Sequence, residues 1–492
     1  MKQKKIILGL SFMFFSFLLN SVEITPLQKL TAEKVLKPFT ENNPTIAHKF
    51  SADPAVLVYK DTVYLYCTND AQQAEFSLGK QENSYNKINT LNIFSSKDLV
   101  NWTDCGEIAV AGKQNPKGAA KWATNSWAPA ICTKKINGTD KFFLYFADSA
   151  NGIGVLTSDS PLGPFSDPLG KALIDRKTPN TQKVYWLFDP AVFVDDDETG
   201  YLYFGGGIDK DSEHPKSARV VKLNPDMISI NGEPVEIDAP FLFEDSGINK
   251  IGNTYYYSYC ANWASRENTI EKNVPPAAYI AYMTSSSPMG PFKYAGYTLK
   301  NPGNYFNAWG NNHHWIFEFK GKYYIAFHAQ LTEKNLGFQK TGYRNICISE
   351  FKINDDGTFP IQTVTKTGVK QTINFNPYEN IKAATFANFK NIAVTSKQTI
   401  TGICDGSYIC IKNVDLSKGG KEFILTTGEE NKKSTIKIYK NSISEQNLLS
   451  QIKTKGGKGT FKGKIENLEK SICNLFIVID EKTELENWKI NF

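Results

Sequence analysis

The chain contains 492 residues, of which 41% are hydrophobic and 22% are charged, a composition typical of a globular protein with two or three domains. The formal charge of +6 at pH 7 is small for this length, and no stripe of lysine and arginine accompanies it. This charge pattern excludes a typical nucleic-acid-binding protein, so we expect no nucleic-acid partner.

The first residues have the pattern of an export signal. Met1–Lys5 is basic, and Ile6–Leu19 is apolar but too short to span a bilayer comfortably. Asn20 and Ser21 then offer small or polar residues for cleavage. The pattern predicts a signal peptide over residues 1–21 and a secreted or periplasmic mature protein, with a membrane anchor as the alternative. Since no later stretch approaches transmembrane length, we expect no membrane span.

A turn followed by an alternating aromatic strand recurs along the chain. The five copies are Lys60–Tyr66, Asp140–Phe146, Thr199–Phe204, Gly252–Tyr257 and Gly321–Phe327. Alternation of aromatic and β-branched residues is the pattern of a β-strand. A turn-rich segment follows each strand, and two of these segments, Thr157–Phe165 and Thr284–Phe292, have nearly the same sequence. One strand-and-turn unit repeated five times predicts an all-β fold, a five-bladed β-propeller over residues 22–366.

An array of β-sandwiches is the alternative to the propeller, but it would not explain the paired turns.

After about residue 366 the composition changes. The chain becomes rich in Lys, Thr, Ile and Asn and poor in Trp. We therefore predict a second domain, a β-sandwich over residues 376–492. Its expected strands include Tyr408–Lys412, Glu422–Leu425, Thr435–Tyr439 and Leu475–Ile479.

The chain contains eight cysteines at irregular spacing, which does not resemble a zinc site. Most lie within apolar, strand-like segments, and we expect the first five to be buried thiols. Cys404 and Cys410 flank a turn that contains Gly406, so this pair is the best candidate for a disulfide.

Three acidic residues lie just before repeated strands. Asp53 and Asp189 each begin an Asp-Pro-Ala-Val sequence, and Glu244 follows an apolar segment before the fourth repeat. In a propeller, the innermost strands direct such side chains to the central funnel. Glycoside hydrolysis needs a carboxylic acid to protonate the leaving oxygen and a carboxylate to activate water or attack. Apolar surroundings raise a carboxyl pKa, which suits Glu244 to the acid role.

Residues 45–365 resemble glycoside hydrolase family 43, a family of five-bladed, inverting propeller enzymes. The matching segments are Ala52–Pro54, Ser126–Pro129, Asp189–Asp196, Glu244 with Lys250 and Tyr255–Tyr256, and Asn311–His314 before Phe317–Tyr323. Their order and spacing carry the resemblance. It implies that Asp53 is the general base, that Glu244 is the general acid, and that Asp189 orients the acid and tunes its pKa.

The resemblance also implies residues that contact the sugar. Trp127 is expected to line the sugar subsite, and Arg344 resembles an arginine that contacts the substrate. His313 resembles a histidine near the propeller axis, where it would contact the substrate and hold a water-ligated calcium ion; a hydrogen-bonded pair with His314 that supports the strand is the alternative. No cofactor is required, and calcium would be structural.

The chain departs from the family pattern at one position near the acid. Relatives usually have a bulky aromatic residue three positions after the acid, where this chain has Gly247. We therefore expect Ser246 and Gly247 to open or reshape one wall of the subsite.

The C-terminal segment resembles carbohydrate-binding module family 6, a β-sandwich. The resemblance is carried by Asn376–Glu379, Gly406–Ile409, Lys412–Asp415 and Asn487–Phe492. The calcium ligands of that family are replaced by Lys382–Ala384, and Lys458 follows Gly456–Gly457 where a stacking Trp would stand. A spacer or docking role is therefore an alternative to sugar binding.

These observations predict an inverting glycoside hydrolase that cleaves O-glycosyl bonds and takes a plant polysaccharide or oligosaccharide as its substrate. The resemblance implies release of α-L-arabinofuranosyl or β-D-xylosyl groups from hemicellulose such as xylan, or from arabinan. One alternative is a retaining fructan-cleaving propeller enzyme, although such enzymes carry Asn where this chain has Ala52. The other is a non-catalytic glycan-binding propeller protein.

Overall fold

The computed structural model describes residues 24–267, 269, 271–466 and 468–492. The predicted signal peptide over residues 1–21 lies outside the described residues and stays a prediction. Within the described ranges, the model contains no helix with the length and apolarity needed to cross a membrane.

The first part of the chain forms five antiparallel sheets, each built from consecutive strands. Blade I contains β1 (Ala52–Tyr59), β2 (Thr62–Thr68), β3 (Thr90–Ser96) and β4 (Trp102–Ala109). Blade II contains β5 (Trp127–Ile136), β6 (Thr139–Ala147) and β7 (Ile153–Ser158), and blade III contains β8 (Ala191–Val194), β9 (Gly200–Phe204), β10 (Ala218–Leu223) and β11 (Ile230–Ile237). Blade IV contains β12 (Leu242–Ile251), β13 (Thr254–Ala261), β14 (Ile280–Ser285) and β15 (Lys293–Leu299), and blade V contains β16 (His314–Phe319), β17 (Lys322–Ala329) and β18 (Asn345–Glu350). The prediction of a five-bladed β-propeller is confirmed.

Within the residues that the structure describes, four short helices lie outside the blades. They are α1 (Pro26–Lys34), α2 (Asp70–Ser77), α3 (Pro302–Phe306) and α4 (Glu333–Leu336). Thr25 begins α1 with a capping box, because its side chain accepts from the N–H of Gln28 while the Gln28 side chain accepts from the N–H of Thr25. Nε2 of Gln28 donates to the carbonyl of Val394 at 2.8 Å, so α1 rests on the C-terminal part of the chain.

The two nearly identical turns hold neighbouring blades together. The hydroxyl of Tyr66 in blade I donates to the carbonyl of Pro161 at 2.5 Å, and the hydroxyl of Tyr203 in blade III donates to the carbonyl of Pro288 at 2.6 Å. Each turn contains a glycine in the left-handed region, where a side chain is disfavoured, with φ of +86° at Gly163 and +84° at Gly290. The repeated sequence therefore provides the same contact twice, once for each pair of blades.

The N-terminal part of the chain closes the ring at blade V. The N–H of Thr45 donates to the carbonyl of Ile346 at 2.7 Å, and the N–H of Ser51 donates to the carbonyl of Arg344 at 2.8 Å. Before both of these residues in the chain, the side chain of Asn43 accepts from the N–H of Ile348 at 2.9 Å. The segment that leads into blade I therefore runs beside β18 of blade V.

The C-terminal part forms two packed sheets around an apolar core, as a β-sandwich does. Its strands are β19 (Ile381–Lys382), β20 (Thr385–Phe386), β21 (Asn388–Lys390), β22 (Ile392–Val394), β23 (Ile400–Gly402), β24 (Ser407–Asp415), β25 (Glu422–Thr427), β26 (Thr435–Lys440), β27 (Leu448–Lys453), β28 (Gly459–Lys464), β29 (Ile472–Ile479) and β30 (Glu484–Asn491), with a 3₁₀ helix over Glu445–Asn447. One sheet has the order β22-β23-β30-β25-β28, with β19 beside β30, and the other has the order β21-β24-β29-β26-β27. The expected sandwich is thus present.

The sandwich shares a sheet with the propeller. Strand β20 pairs with β4, the outer strand of blade I, with Phe386 opposite Trp102. Asn101 donates to the carbonyl of Lys412 at 3.0 Å and accepts from the N–H of Lys412 at 2.8 Å. The two parts are therefore joined by backbone pairing and by a two-way amide contact.

The expected disulfide does not form, because all eight cysteines are free thiols. Cys410 is buried in β24 against Tyr439 and Phe476. The thiol of Cys404 contacts Asn391 and Ser407 instead.

Candidate active site

The predicted carboxylates lie where the innermost strands of their blades begin. The register of β1 shifts after Ala52, and the register of β12 shifts on both sides of Glu244. Asp53 and Asp189 both have a φ of +49°, a value that non-glycine residues rarely adopt. Bulges and left-handed residues of this kind re-aim side chains at the ends of strands. The equal φ values mean that the two Asp-Pro-Ala-Val sequences have the same local backbone.

Asp53 lies in a buried, positively charged environment, with 6% of its surface exposed. Its Oδ1 accepts from Nη1 of Arg344 at 2.8 Å, and its backbone N–H donates to Nδ1 of His328 at 3.2 Å. Burial by itself would raise the pKa of Asp53, but the charge of Arg344 and the nearby histidines hold it well below its ordinary value. Asp53 is therefore a carboxylate across the physiological pH range.

Arg344 is held in place by Asp70, the first residue of α2. Nε and Nη2 of Arg344 donate to the two carboxylate oxygens of Asp70, each at 2.9 Å, and both residues are buried. Two parallel hydrogen bonds fix the plane of a guanidinium. The remaining nitrogen, Nη1, is thereby directed at Asp53. The hydrogen bonds that the guanidinium of Arg344 donates within the described residues go to these two carboxylates, and its contact with the substrate stays a prediction.

Glu244 has the opposite environment. It is 8% exposed, and its Oε1 has no hydrogen-bond partner among the residues that the structure describes. Burial and the negative charges of Asp189 and Asp53 raise the pKa of Glu244 well above its ordinary value. Glu244 is thus suited to carry a proton near neutral pH.

Asp189 is a buried carboxyl group whose pKa is raised, as that of Glu244 is. Its Oδ2 accepts from the N–H of Asp245 at 2.9 Å. Burial and the charge of Asp53 raise the pKa of Asp189 well above its ordinary value. Since the charge of Asp189 in turn raises the pKa of Glu244, these two neighbouring carboxyl groups hold a proton more tightly than an isolated carboxyl group does.

Two histidines and Asp245 form a buried cluster at the start of blade V. Nε2 of His313 lies 3.2 Å from Oδ1 of Asp245, and Nδ1 of His314 lies 2.5 Å from its Oδ2. On its other side, Nδ1 of His313 is 3.6 Å from Oδ1 of Asp53 and 3.7 Å from Oδ2 of Asp189. Burial lowers the pKa of His313, and it lowers that of His314 to about 3. Both imidazoles are therefore neutral near pH 7.

The surroundings of His313 bear on the predicted calcium ion. Among the described residues, no group of three or more His, Cys, Asp or Glu side chains is arranged to hold a metal ion directly. With its proton on Nε2, facing Asp245, His313 presents the lone pair of Nδ1 toward oxygens of Asp53 and Asp189. Three electron-rich atoms facing one another attract a cation, so this donor set fits calcium held through water.

Trp127 lies half-buried where β5 begins, at the same end of the propeller as the carboxylates. Its Nε1 donates to the carbonyl of Tyr85 at 3.1 Å, and the two rings meet edge-on with centroids 5.9 Å apart. The following residue, Ala128, has a φ of +38°. Blade II thus begins with the same kind of distorted backbone as blades I and III, with an indole in place of the carboxylate.

Gly247 packs against residues of blades IV and V. A Cβ at this position would lie 2.5 Å from Oγ of Ser258 and 3.3 Å from the ring of His314. Nε2 of His314 and Oγ of Ser258 are in turn hydrogen-bonded at 2.8 Å. The glycine therefore makes room for a buried His–Ser pair next to Asp245, and the expectation that it reshapes a wall of the subsite stays a prediction.

Sequence reasoning missed three residues of the site, namely Asp70, Tyr85 and Asp245. Asp70 and Arg344 are 274 positions apart, and no local pattern connects them. Asp245 directly follows Glu244, so its position next to a predicted acid was the one available signal. Tyr85 lies in a loop between α2 and β3 without any repeat or motif.

Exposed aromatic residues surround the site. Tyr185 precedes β8, and Trp309 precedes β16. Trp263 follows β13, at the end of this strand that pairs with Leu242. All three residues therefore lie at the end of the propeller where the carboxylates lie. Their side chains are 47%, 47% and 54% exposed. Open aromatic faces of this kind are suited to stacking on the apolar faces of sugar rings.

Comparison with known proteins identifies what the chain is similar to. The family model for glycosyl hydrolases family 43 matches residues 42–359. The arabinoxylan arabinofuranohydrolase of Bacillus subtilis (strain 168) is 47% identical over 410 residues, which cover 79% of each chain. The protein of the same name from Paenibacillus polymyxa is 44% identical over 431 residues, which cover 84% of this chain and 67% of that protein.

A solved structure agrees with these relationships. The crystal structure of a family 43 arabinoxylan arabinofuranohydrolase from Bacillus subtilis, in complex with cellotetraose, superposes with a TM-score of 0.86 at 39% identity. The match covers 94% of this chain and 99% of that one, so it includes both the propeller and the C-terminal sandwich.

Proposed function

The chain belongs to glycosyl hydrolases family 43 and is a glycoside hydrolase, and on that premise we propose that it removes α-L-arabinofuranosyl groups from arabinoxylan with inversion at the anomeric carbon. The names of the two relatives at 47% and 44% identity support this sugar and this polymer. The exposed aromatic residues Tyr185, Trp263 and Trp309 support a polymeric substrate, because they offer stacking surfaces beyond a single sugar.

In the proposed mechanism, Asp53 removes a proton from a water molecule while Glu244 protonates the departing glycosidic oxygen. Inversion requires the water to attack the face of the sugar opposite the leaving group, which calls for a carboxyl separation of roughly 6.5–9.5 Å. Asp189 would orient Glu244 and keep its pKa high. Arg344, held by Asp70, would orient Asp53 and keep it ionised.

The observation that carries this proposal is the opposite displacement of two pKa values within one buried cluster. Arg344 lowers the pKa of Asp53, whereas burial, Asp189 and Asp53 raise the pKa of Glu244. Carboxyl groups whose environments separate their pKa values in this way are matched to the base and acid roles. A glycan-binding protein without catalysis would not need this separation.

The first test is the hydrolysis of 4-nitrophenyl α-L-arabinofuranoside and of arabinoxylan by the wild type, Asp53→Asn and Glu244→Gln. We expect each amide to lower kcat by about 10²- to 10⁴-fold, since it removes one proton-transfer group. Proton NMR during the first turnovers should detect β-L-arabinofuranose as the initial product.

Asp159→Asn provides a matched control, because Asp159 is a surface carboxylate paired with Lys141. Unchanged turnover in both site variants would refute the assignment of the carboxylates. A product of retained configuration would instead favour a double displacement, as in the fructan-cleaving alternative, and release of xylose alone would change the sugar.

We also propose that the chain binds calcium through water beside His313. The lone pair of Nδ1 and the nearby oxygens of Asp53 and Asp189 support this site. Calcium would add positive charge next to these carboxylates, while catalysis in this family needs no cofactor. Titration calorimetry with calcium chloride should detect binding to the wild type but not to His313→Ala; equal binding by both would refute the site.

The remaining proposals concern export and the sandwich. We propose that residues 1–21 direct secretion to the medium or periplasm. Edman sequencing of the exported protein would test this proposal, since an intact Met1 would refute cleavage.

We propose that the sandwich, which resembles carbohydrate-binding module family 6, supports blade I. Its shared sheet with β4 supports this role, and binding of xylan by the sandwich would appear in affinity electrophoresis of a Glu244→Gln chain.

A further inference from the structure

The loop between α2 and β3 is anchored to the segment that leads to Arg344. The side chain of Asn83 donates to the carbonyl of Gly342 at 3.0 Å and accepts from the N–H of Tyr85 at 3.0 Å. Tyr85 itself has a φ of +62°, which is uncommon outside glycine. The loop therefore holds Tyr85 in a fixed, left-handed conformation next to the site.

The ring of Tyr85 contacts two residues of the site. Cζ of Arg344 lies 5.0 Å from the ring centroid, within the range of a cation–π contact. Nε1 of Trp127 donates to the backbone carbonyl of Tyr85, and the indole packs edge-on against the phenol ring. Tyr85 thus bridges the arginine that orients Asp53 and the indole at the start of blade II.

The hydroxyl of Tyr85 is available for a ligand. Within the described ranges it forms no hydrogen bond to another residue, and the side chain is only half-buried. Burial raises its pKa to about 12, with Asp70, Glu244 and Asp53 adding to this effect and Arg344 opposing it. The phenol therefore keeps its proton at neutral pH, and its ring lies against Arg344, which is hydrogen-bonded to Asp53.

We propose that Tyr85 is a substrate-contacting residue whose hydroxyl donates a hydrogen bond to a hydroxyl group of the sugar held between Asp53 and Glu244. This inference rests on the proposed glycosidase function. Its ring positions Arg344 and Trp127, and its hydroxyl distinguishes a sugar that carries the complementary hydroxyl from one that lacks it.

The test compares the wild type with Tyr85→Phe, which removes the hydroxyl and keeps the ring. With 4-nitrophenyl α-L-arabinofuranoside, we expect kcat/KM to fall by about 10- to 100-fold, as for the loss of one hydrogen bond in a partly desolvated site. The melting temperature and the intrinsic tryptophan fluorescence should stay at the wild-type values, because the ring contacts remain.

Tyr297→Phe is the matched control. Tyr297 is also a half-buried tyrosine without a hydrogen-bond partner for its hydroxyl in the described part of the chain, and it lies on β15, the outer strand of blade IV. We expect this variant to match the wild type. If Tyr85→Phe also stays within twofold of the wild type, the inference is overturned.

Deoxy substrates provide a second measurement. The substrates are the 2-, 3- and 5-deoxy arabinofuranosides. For one of them, the wild type should show a lower kcat/KM than for the parent glycoside. With that substrate, Tyr85→Phe should lower kcat/KM little further, because the same hydrogen bond is already absent. Independent, additive losses for all three would overturn the contact. A wild type that hydrolyses none of the glycosides would refute the proposed function instead.

Discussion

At the scale of single residues, the site is organised by charges that come from distant parts of the chain. Arg344 connects Asp70 to Asp53 through hydrogen bonds of 2.8–2.9 Å. The same cluster places Asp189 where its charge opposes the ionisation of Glu244. The site therefore keeps one carboxylate charged and one carboxyl group protonated in the same small volume.

This arrangement predicts the pH dependence of activity. Glu244 must be protonated to act, and its pKa is raised, so activity should be lost as the pH rises through that pKa. In Asp189→Asn, one of the charges that raises the pKa of Glu244 is removed, so the basic limb of the kcat/KM profile should move to lower pH. The acidic limb should lie at low pH in both proteins, because the pKa of Asp53 is lowered.

The measurement is the pH profile of kcat/KM for the wild type and Asp189→Asn with the same aryl glycoside. Asp159→Asn again serves as the control for a lost surface charge. A basic limb that stays in place or moves upward in Asp189→Asn would contradict the assigned electrostatic role of Asp189.

At the scale of elements, β12 and β13 show how a strand pair is adapted to the site. The register of β12 shifts around Glu244, and the neighbouring Gly247 lies opposite Ser258. Ser258 is hydrogen-bonded to His314, and His314 is hydrogen-bonded to Asp245. The glycine, the serine and the histidine therefore form one packed unit across blades IV and V.

Gly247→Ala should lower the free energy of unfolding by about 1–3 kcal/mol, because the added methyl group would overlap Oγ of Ser258 in a packed core. The double variant Gly247→Ala with Ser258→Ala should recover part of this loss, since the overlapping oxygen is gone. Urea unfolding of the single and double variants measures both effects. A single variant as stable as the wild type would contradict the packing role of Gly247.

At the scale of the whole molecule, the sandwich is joined to blade I along one edge. Strand β20 extends the sheet of β4, and Asn101 bonds both backbone groups of Lys412. Helix α1 adds a further contact between the N-terminal segment and the sandwich. We therefore expect the propeller and the sandwich to unfold together.

Calorimetry of the wild type should show one unfolding transition. Asn101→Ala should lower the free energy of unfolding by about 1–3 kcal/mol, because it leaves the N–H and the carbonyl of Lys412 unpaired. Asn447→Ala, at an exposed turn far along the sandwich, should have little effect. Two separate transitions in the wild type would contradict the coupling between the two parts.

The amino-acid sequence by itself determined the features that depend on local pattern. Alternating aromatic residues predicted the second strand of each blade, and the matching Asp-Pro-Ala-Val sequences identified Asp53 and Asp189 as equivalent positions. These signals are visible because strand alternation and turn chemistry act over a few neighbouring residues.

Only the tertiary structure decided the environment of those positions. The pairing of Asp70 with Arg344, the contact of Tyr85 with Trp127 and the packing of Gly247 against Ser258 all join segments that no local pattern relates. The opposite pKa shifts of Asp53 and Glu244 likewise depend on the distant residues that the fold brings together, because Arg344 lowers the pKa of Asp53 whereas burial and Asp189 raise that of Glu244.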